Sequence, residues 1–320
     1  MSVALRIENL VKDFRHPFML GKVRVIDDLN LEIRVGETFG FVGPNGAGKS
    51  TTLKLINGLL RPTSGRIEIF GMDHRDVAVK ARLGFLPENP YFYDYLSAEE
   101  FLDFYAQLFG MGRADRRQRA RRLLDRVGLG ARASDPLRKY SKGMTQRLGL
   151  AQALINDPEL VILDEPMSGL DPIGRGQVRD IILELKKEGR TVFFSSHFIP
   201  DVEMICDRVG ILVEGKLRDQ TDLHARMAMD APSSEVRVAG ISKATFDRIQ
   251  SLSNRTVASG AEILLEVPGD GTVEKLVDLV RADGGRIISI TPNTGSLEAL
   301  FMREVNTPSS KDRGEEEGAS

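Results

Sequence analysis

The stretch Gly43-Pro44-Asn45-Gly46-Ala47-Gly48-Lys49-Ser50-Thr51, GPNGAGKST, lies between the apolar run TFGFV (38–42) and the helical pattern TTLKLINGLL (51–60). It fits G-x-x-x-x-G-K-[ST], in the strand-loop-helix setting that gives this motif meaning. Glycines at 43, 46 and 48 let the backbone curl so that successive N–H groups point inward, and the start of the following helix adds the positive end of its dipole. Such a loop suits a triphosphate. Lys49 is placed to reach the β- and γ-phosphates and Ser50 to ligate Mg²⁺. A purely structural glycine-rich turn does not account for Lys-Ser directly before a helix.

Working outward, the runs ETFGFVG, ELVILDE, RTVFFSS and DRVGILV read as strands buried on both faces, hence a largely parallel sheet covered by helices. ALRIENLVKDF and VRVIDDLNLEIRVGE alternate instead, as an antiparallel edge layer does. Between Ser97 and Gly130 only helical patterns occur. Ser97 and Glu100 have capping-box spacing, and Gly128 is suited to close the helix RADRRQRARRLLDRV. A further helix is expected from Asp171-Pro172 to KKEGR. The fold class is therefore α/β: a mixed, largely parallel sheet with an antiparallel layer and a helical insertion at about 89–157. Residues 1–217 form this domain. Residues 218–305, with strands EVRVAG, EILLEV and RIISIT, form a small α/β accessory domain, and the apolar-poor tail 306–320 is expected to be disordered.

Bulk properties exclude several classes. The 320 residues are 41% hydrophobic and 28% charged, as in a globular protein, with a net charge of −2 that offers no global attraction to nucleic acid. Cys206 is the single cysteine, so no internal disulfide ties the chain to an oxidising compartment. No apolar run approaches the roughly 18 residues needed to cross a bilayer, and the cytoplasm is the expected location. The arginines of GRADRRQRARRLLDR read as the wet face of an amphipathic helix with Leu123, Leu124 and Val127 inward, and no nucleic acid partner is expected.

LVILDE ends a strand in two carboxylates. Asp164 can hold Mg²⁺, and Glu165 can orient or deprotonate water. Just before it stands YSKGMTQR (140–147), followed later by SGLD (168–171) and SSH (195–197). In this order, over the first two-thirds of the chain, these motifs resemble those of the ATP-binding cassette (ABC) ATPases, whose signature is LSGGQ-x-QR. The resemblance implies a P-loop ABC-ATPase fold and two cassettes facing head to tail, so that the signature of one copy caps the ATP held by the other. Ser141 and the backbone of Gly143 would then contact the opposite γ-phosphate and Asp171 would cross the interface. His197 would hold the γ-phosphate and the attacking water, and Glu165 would be the base. Taken alone, Ser141 and Asp171 are also ordinary helix caps.

Departures from the pattern stand out. Glu88, in GFLPENP, occupies the place of the usual glutamine; it can still accept bonds from Mg²⁺ or water but adds a charge. Lys142 and Met144 replace Gly and Gln in the signature; Lys142 either favours an anion electrostatically or points to solvent, the second being preferred. Phe14 is the candidate to stack on adenine, with Phe18 as its rival and a core phenylalanine as the alternative. The aromatic-rich NPYFYDYLSAEEFLDFY reads as core plus a docking surface. Glu88 in PE, the YSKGMTQR variant and the stretch SLEALFMREV resemble the drug, polysaccharide and antibiotic exporter branch, in which the cassette and an integral membrane permease are often separate subunits. The implied function is ATP hydrolysis driving that permease, and the alternatives are a soluble cassette ATPase acting on ribosomes or nucleic acid and a P-loop kinase or GTPase whose site a single chain completes.

Overall fold

The computed structural model describes residues 2–15, 21–223, 225, 233–259, 262–268, 271–293 and 297–306. Phe18, and the tail from residue 307 onward, lie outside them. The chain divides into two units, the second of which covers Asp222–Arg303.

In the first unit, β1 (Val3–Arg15) and β2 (Lys22–Arg34) form a long antiparallel pair, joined by β4 (Ser64–Ile69) and the short β5 (Met72–Asp73) in the order β2-β1-β4-β5. A second sheet has the order β10-β9-β3-β8-β7-β6, from β3 (Thr38–Val42), β6 (Leu83–Leu86), β7 (Leu160–Leu163), β8 (Thr191–Ser196), β9 (Arg208–Val213) and β10 (Lys216–Asp222). β3 runs parallel to both β8 and β9, and β7 runs parallel to both β6 and β8. Every residue of β3, β7 and β8 is buried, which explains why these runs are apolar on both faces. The two sheets share one core, in which Ile7, Leu10 and Ile26 of the first meet Phe39, Phe41, Ile162 and Phe193 of the second.

β6 lies outside the strand runs legible in the sequence. It is four residues long with Gly84 inside it, and a side chain at 84 would collide with the carbonyl of Ala153 and the ring of Pro158. Glycine is kept there by close backbone approach, and its presence weakens the local strand pattern.

Between β6 and β7 the chain inserts α3 (Ala98–Leu108), α4 (Arg113–Arg126) and α5 (Lys142–Ala153). Ser97 and Glu100 make the reciprocal capping box at the start of α3. α4 buries Ala120, Leu123 and Leu124 and leaves most of its arginines outward. α1 (Lys49–Ile56) follows β3, α2 (Val77–Lys80) precedes β6, α6 (Pro172–Lys187) precedes β8, and α7 (Ile199–Ile205) follows it.

The second unit is an antiparallel sheet in the order β12-β13-β11-β14, built from β11 (Ser233–Ala239), β12 (Arg255–Ser259), β13 (Glu262–Pro268) and β14 (Arg286–Asn293). Alternate residues Val236, Val238, Leu265 and Val267 turn inward against Ile249 of α8 (Lys243–Gln250) and Leu276 and Val280 of α9 (Thr272–Ala282). The last helix is α10 (Leu297–Asn306). The sequence-based boundary at 217/218 lies inside β10.

Candidate functional site

The loops after β3, β7 and β8 carry the chemistry, and these strands are parallel neighbours, so their carboxyl ends open on the same side of the sheet. They frame a cleft of about 520 Å³ lined by residues 45–51 of the phosphate loop together with Val25, Glu88, Glu165, Ser168 and His197.

The loop geometry explains its glycines. Gly48 caps α1 at φ 107°, and a side chain there would strike Ile26 and the carbonyl of Val25. Only glycine adopts that conformation without strain. Thr52 returns its hydroxyl to the Gly48 carbonyl at 3.0 Å and fixes the first turn. The Lys49 ammonium is buried and donates to the carbonyls of Gly43 (2.7 Å) and Pro44 (3.3 Å), while lying 3.5 Å from Glu165 Oε1. It is thus drawn across the loop that it closes.

Asp164 is 1% exposed, and its Oδ1 accepts from Ser50 Oγ (3.0 Å) and Ser195 Oγ (2.8 Å). Burial pushes its carboxyl up from the ordinary aspartate range; the two hydroxyls pull it down, and the nearby charges of Glu88 and Glu165 push it up again. Glu165 adopts φ 47°, its N–H donates to Ser195 Oγ (2.9 Å), and its Oε2 lies 2.8 Å from His197 Nδ1. A left-handed glutamate at a strand end is an unusual backbone that marks a constrained site.

Ser195 is the hub that sequence reading missed. Its hydroxyl donates to Asp164 and accepts from the Glu165 backbone, which ties β8 to the end of β7. The signal was available in SSH, where a serine in a wholly buried strand needs polar partners. Val25 and Ser168 also line the cleft without having been singled out.

The donor set suits Mg²⁺. One serine hydroxyl and a buried carboxylate already touch, and further carboxylates stand close to them. Among the described residues no group of three or more His, Cys, Asp or Glu side chains could hold a metal by itself.

Four further candidates lie apart from the cleft lining. Ser141 is the N-cap of α5, accepting from the Met144 N–H at 3.3 Å, and Gly143 sits in that first turn. Asp171 is the N-cap of α6, accepting from the Gly174 N–H at 2.7 Å, with Pro172 at the first helical position. Phe14 is 37% exposed, with the Lys12 ammonium 4.8 Å from its ring centre. Lys142 is exposed, as expected, but its ammonium fills the space beside Gly169.

The family described as ABC transporter matches residues 26–168. An uncharacterised ABC transporter ATP-binding protein of Synechocystis sp. is 44% identical over 92% of this chain and 82% of its own length. The chain belongs to the ABC transporter ATP-binding proteins. The bacitracin transport ATP-binding protein BcrA of Bacillus licheniformis is 35% identical to this ABC ATPase, over 95% of this chain and 98% of its own. Among solved structures, the dimeric post-hydrolysis state of the cassette MJ0796 bound to ADP and Pi has a TM-score of 0.63 at 25% identity, covering 68% of this chain and 98% of that one. As a member, this chain is an ATP-binding subunit of an ABC transporter, whose ATPase activity drives transport. Such subunits dimerise and work with membrane subunits. Among the described residues no helix is long and apolar enough to cross a membrane.

Proposed function

We propose that this chain powers an export-type permease on a separate subunit, at the cytoplasmic face of the membrane, and that two copies close on ATP so that each completes the other's site. The observation that carries the reading is the incompleteness of the cleft. Lys49, Ser50, Asp164, Glu165 and His197 converge on one side, whereas Ser141, Gly143 and Asp171 stand outside it on helix starts whose free N–H groups suit an anion.

In this reading Lys49 and the loop N–H groups of residues 43–51 bind the phosphates. Ser50, Asp164 and Glu88 hold Mg²⁺, which neutralises charge on the phosphate oxygens. Glu165 accepts the proton of the attacking water while His197, bonded to it, orients that water and the γ-phosphate. Phe14 stacks on adenine. The export direction is supported by the likeness to BcrA, a bacitracin transport protein, over nearly the whole length of both chains. The exposed Tyr91, Tyr93 and Tyr95, with Tyr93 edge-on to Phe104 of α3, offer the permease an aromatic docking surface.

The test is the dependence of ATP turnover per chain on protein concentration. Turnover should rise with concentration and collapse in Ser141→Ala; a constant turnover unaffected by that change would favour a site completed by one chain. Recovery of a polytopic membrane protein with the tagged chain should identify the permease, and recovery of RNA instead would favour the ribosome-associated alternative.

A further inference from the structure

His197 lines the cleft yet is held there by little. Its side chain is half-exposed, and the contact of Nδ1 with Glu165 is its only polar one among the described residues. Where the ring stands is therefore set by the backbone on either side of it. On one side Ser196 ends the wholly buried β8. On the other, Phe198 is the N-cap of α7 but makes no capping side-chain bond; its own N–H donates to Ser196 Oγ at 3.0 Å, and its ring is exposed. A helix start without a side-chain cap must be steadied from outside the helix.

Arg175, one turn into α6, steadies it. Its Nη2 donates to Asp201 Oδ2 of α7 at 2.8 Å, and its guanidinium carbon lies 4.0 Å from the centre of the Phe198 ring. Asp201 is buried, so its charge requires a partner, and that requirement fixes the far end of the arginine. The flat guanidinium can then bond the carboxylate and stack on the ring at once, which a lysine ammonium cannot do. The Arg175 backbone N–H, in turn, bonds the Asp171 carbonyl at 2.9 Å. One side chain thus joins the start of α6 to the residue next to His197.

The geometry points to Arg175 as a positioning residue for His197: by clamping Phe198 and the first turn of α7, it keeps the imidazole against Glu165. The inference rests on the reading above in which His197 and Glu165 act together on the attacking water. It gives a role in the reaction to a residue that touches neither nucleotide nor water.

The experiment measures steady-state phosphate release by the full-length chain at one protein concentration. Arg175→Lys keeps a charge for Asp201 and removes the flat group. Its kcat should fall about 10- to 100-fold, the size expected when a reacting group is misplaced by about 1 Å, while KM for ATP stays within about twofold because the phosphate loop is untouched. Phe198→Leu leaves the ion pair and removes the ring; it should give the same pattern, and it carries the test if the lysine variant does not fold. Both changes are then repeated in a chain carrying His197→Ala. With no imidazole left to position, each should cost less than about threefold. Parental kcat in both single variants, a loss carried by KM, or a fall of equal size with and without His197 would overturn the proposal and leave the role of His197 intact. If His197→Ala by itself keeps turnover within about threefold of the parent, the reading of His197 fails and the proposal falls with it.

Discussion

Glu165→Gln separates binding from chemistry more cleanly than any other single change in the cleft. The substitution keeps size and hydrogen-bonding capacity, so the left-handed backbone at 165, its N–H bond to Ser195 and a contact with His197 can all persist. What goes is the negative charge. At 3.5 Å from Lys49 Nζ that charge contributes a gross attraction of about 5 kcal/mol at an effective dielectric near 20, much of it offset by the cost of burying both groups. Losing it frees the lysine from a rival anion, so ATP affinity should stay the same or tighten. Hydrolysis should fall by about 10²–10⁴, the usual size of a general-base contribution, or about 3–5 kcal/mol in the barrier. Phosphate release at saturating ATP measures the second effect, and equilibrium binding of a labelled nucleotide measures the first. Turnover within about threefold of the parent would remove Glu165 from the role of base. A parallel loss of affinity and turnover would mean that the carboxylate serves the ground state instead.

Other consequences follow from particular contacts. Lys49→Ala should weaken ATP binding itself by about tenfold or more, since it removes a charged phosphate contact; unchanged nucleotide retention would contradict the phosphate-loop assignment. Gly84→Ala should destabilise the first unit by about 1–3 kcal/mol or more, because the new methyl meets the Ala153 backbone carbonyl rather than a yielding side chain, and denaturant unfolding should show it. His74 is buried, its Nδ1 lies 3.2 Å from the Ile67 carbonyl, its Nε2 has no hydrogen-bond partner among the described residues, and burial holds its pKa below the ordinary histidine value. Above about pH 6.5 both folded and unfolded chains hold it neutral. As pH falls below that, the unfolded chain takes up the proton first, so stability is lost down to the folded pKa. Replacing His74 by Gln should flatten that part of the stability profile just below about pH 6.5, and an unchanged slope would show that other groups dominate.

The phosphate loop, the carboxylate pair and the alternation of strands and helices were legible because each depends on short-range rules: glycine where the backbone must curl, a cap before a helix, apolar runs where both faces are covered. β6 was not legible, since its four residues include a glycine imposed by the Ala153 carbonyl and Pro158, which come from the far side of the helical insertion. Ser195 was quoted in a motif yet its role was hidden, because a hydroxyl's partners are set by which strands lie side by side. The candidates Ser141, Gly143, Asp171 and Phe14 could be named from the family resemblance, but their separation from the cleft lining is a property of the folded chain.

By itself, the order of residues determined that a triphosphate loop, a strand-end carboxylate pair and a signature helix exist in this chain, because those features are written in residues adjacent along it. Only the tertiary structure decided that Ser195 joins Asp164 to Glu165, that Lys49 closes onto its own loop, and that Lys142 lies across Gly169. Each is a meeting of side chains or backbone groups brought together by the parallel order β3-β8-β7 or by the fold of the phosphate and signature loops. Propensity and periodicity act along the chain, whereas distances of about 3 Å between charges and hydroxyls depend on how strands pair and loops pack.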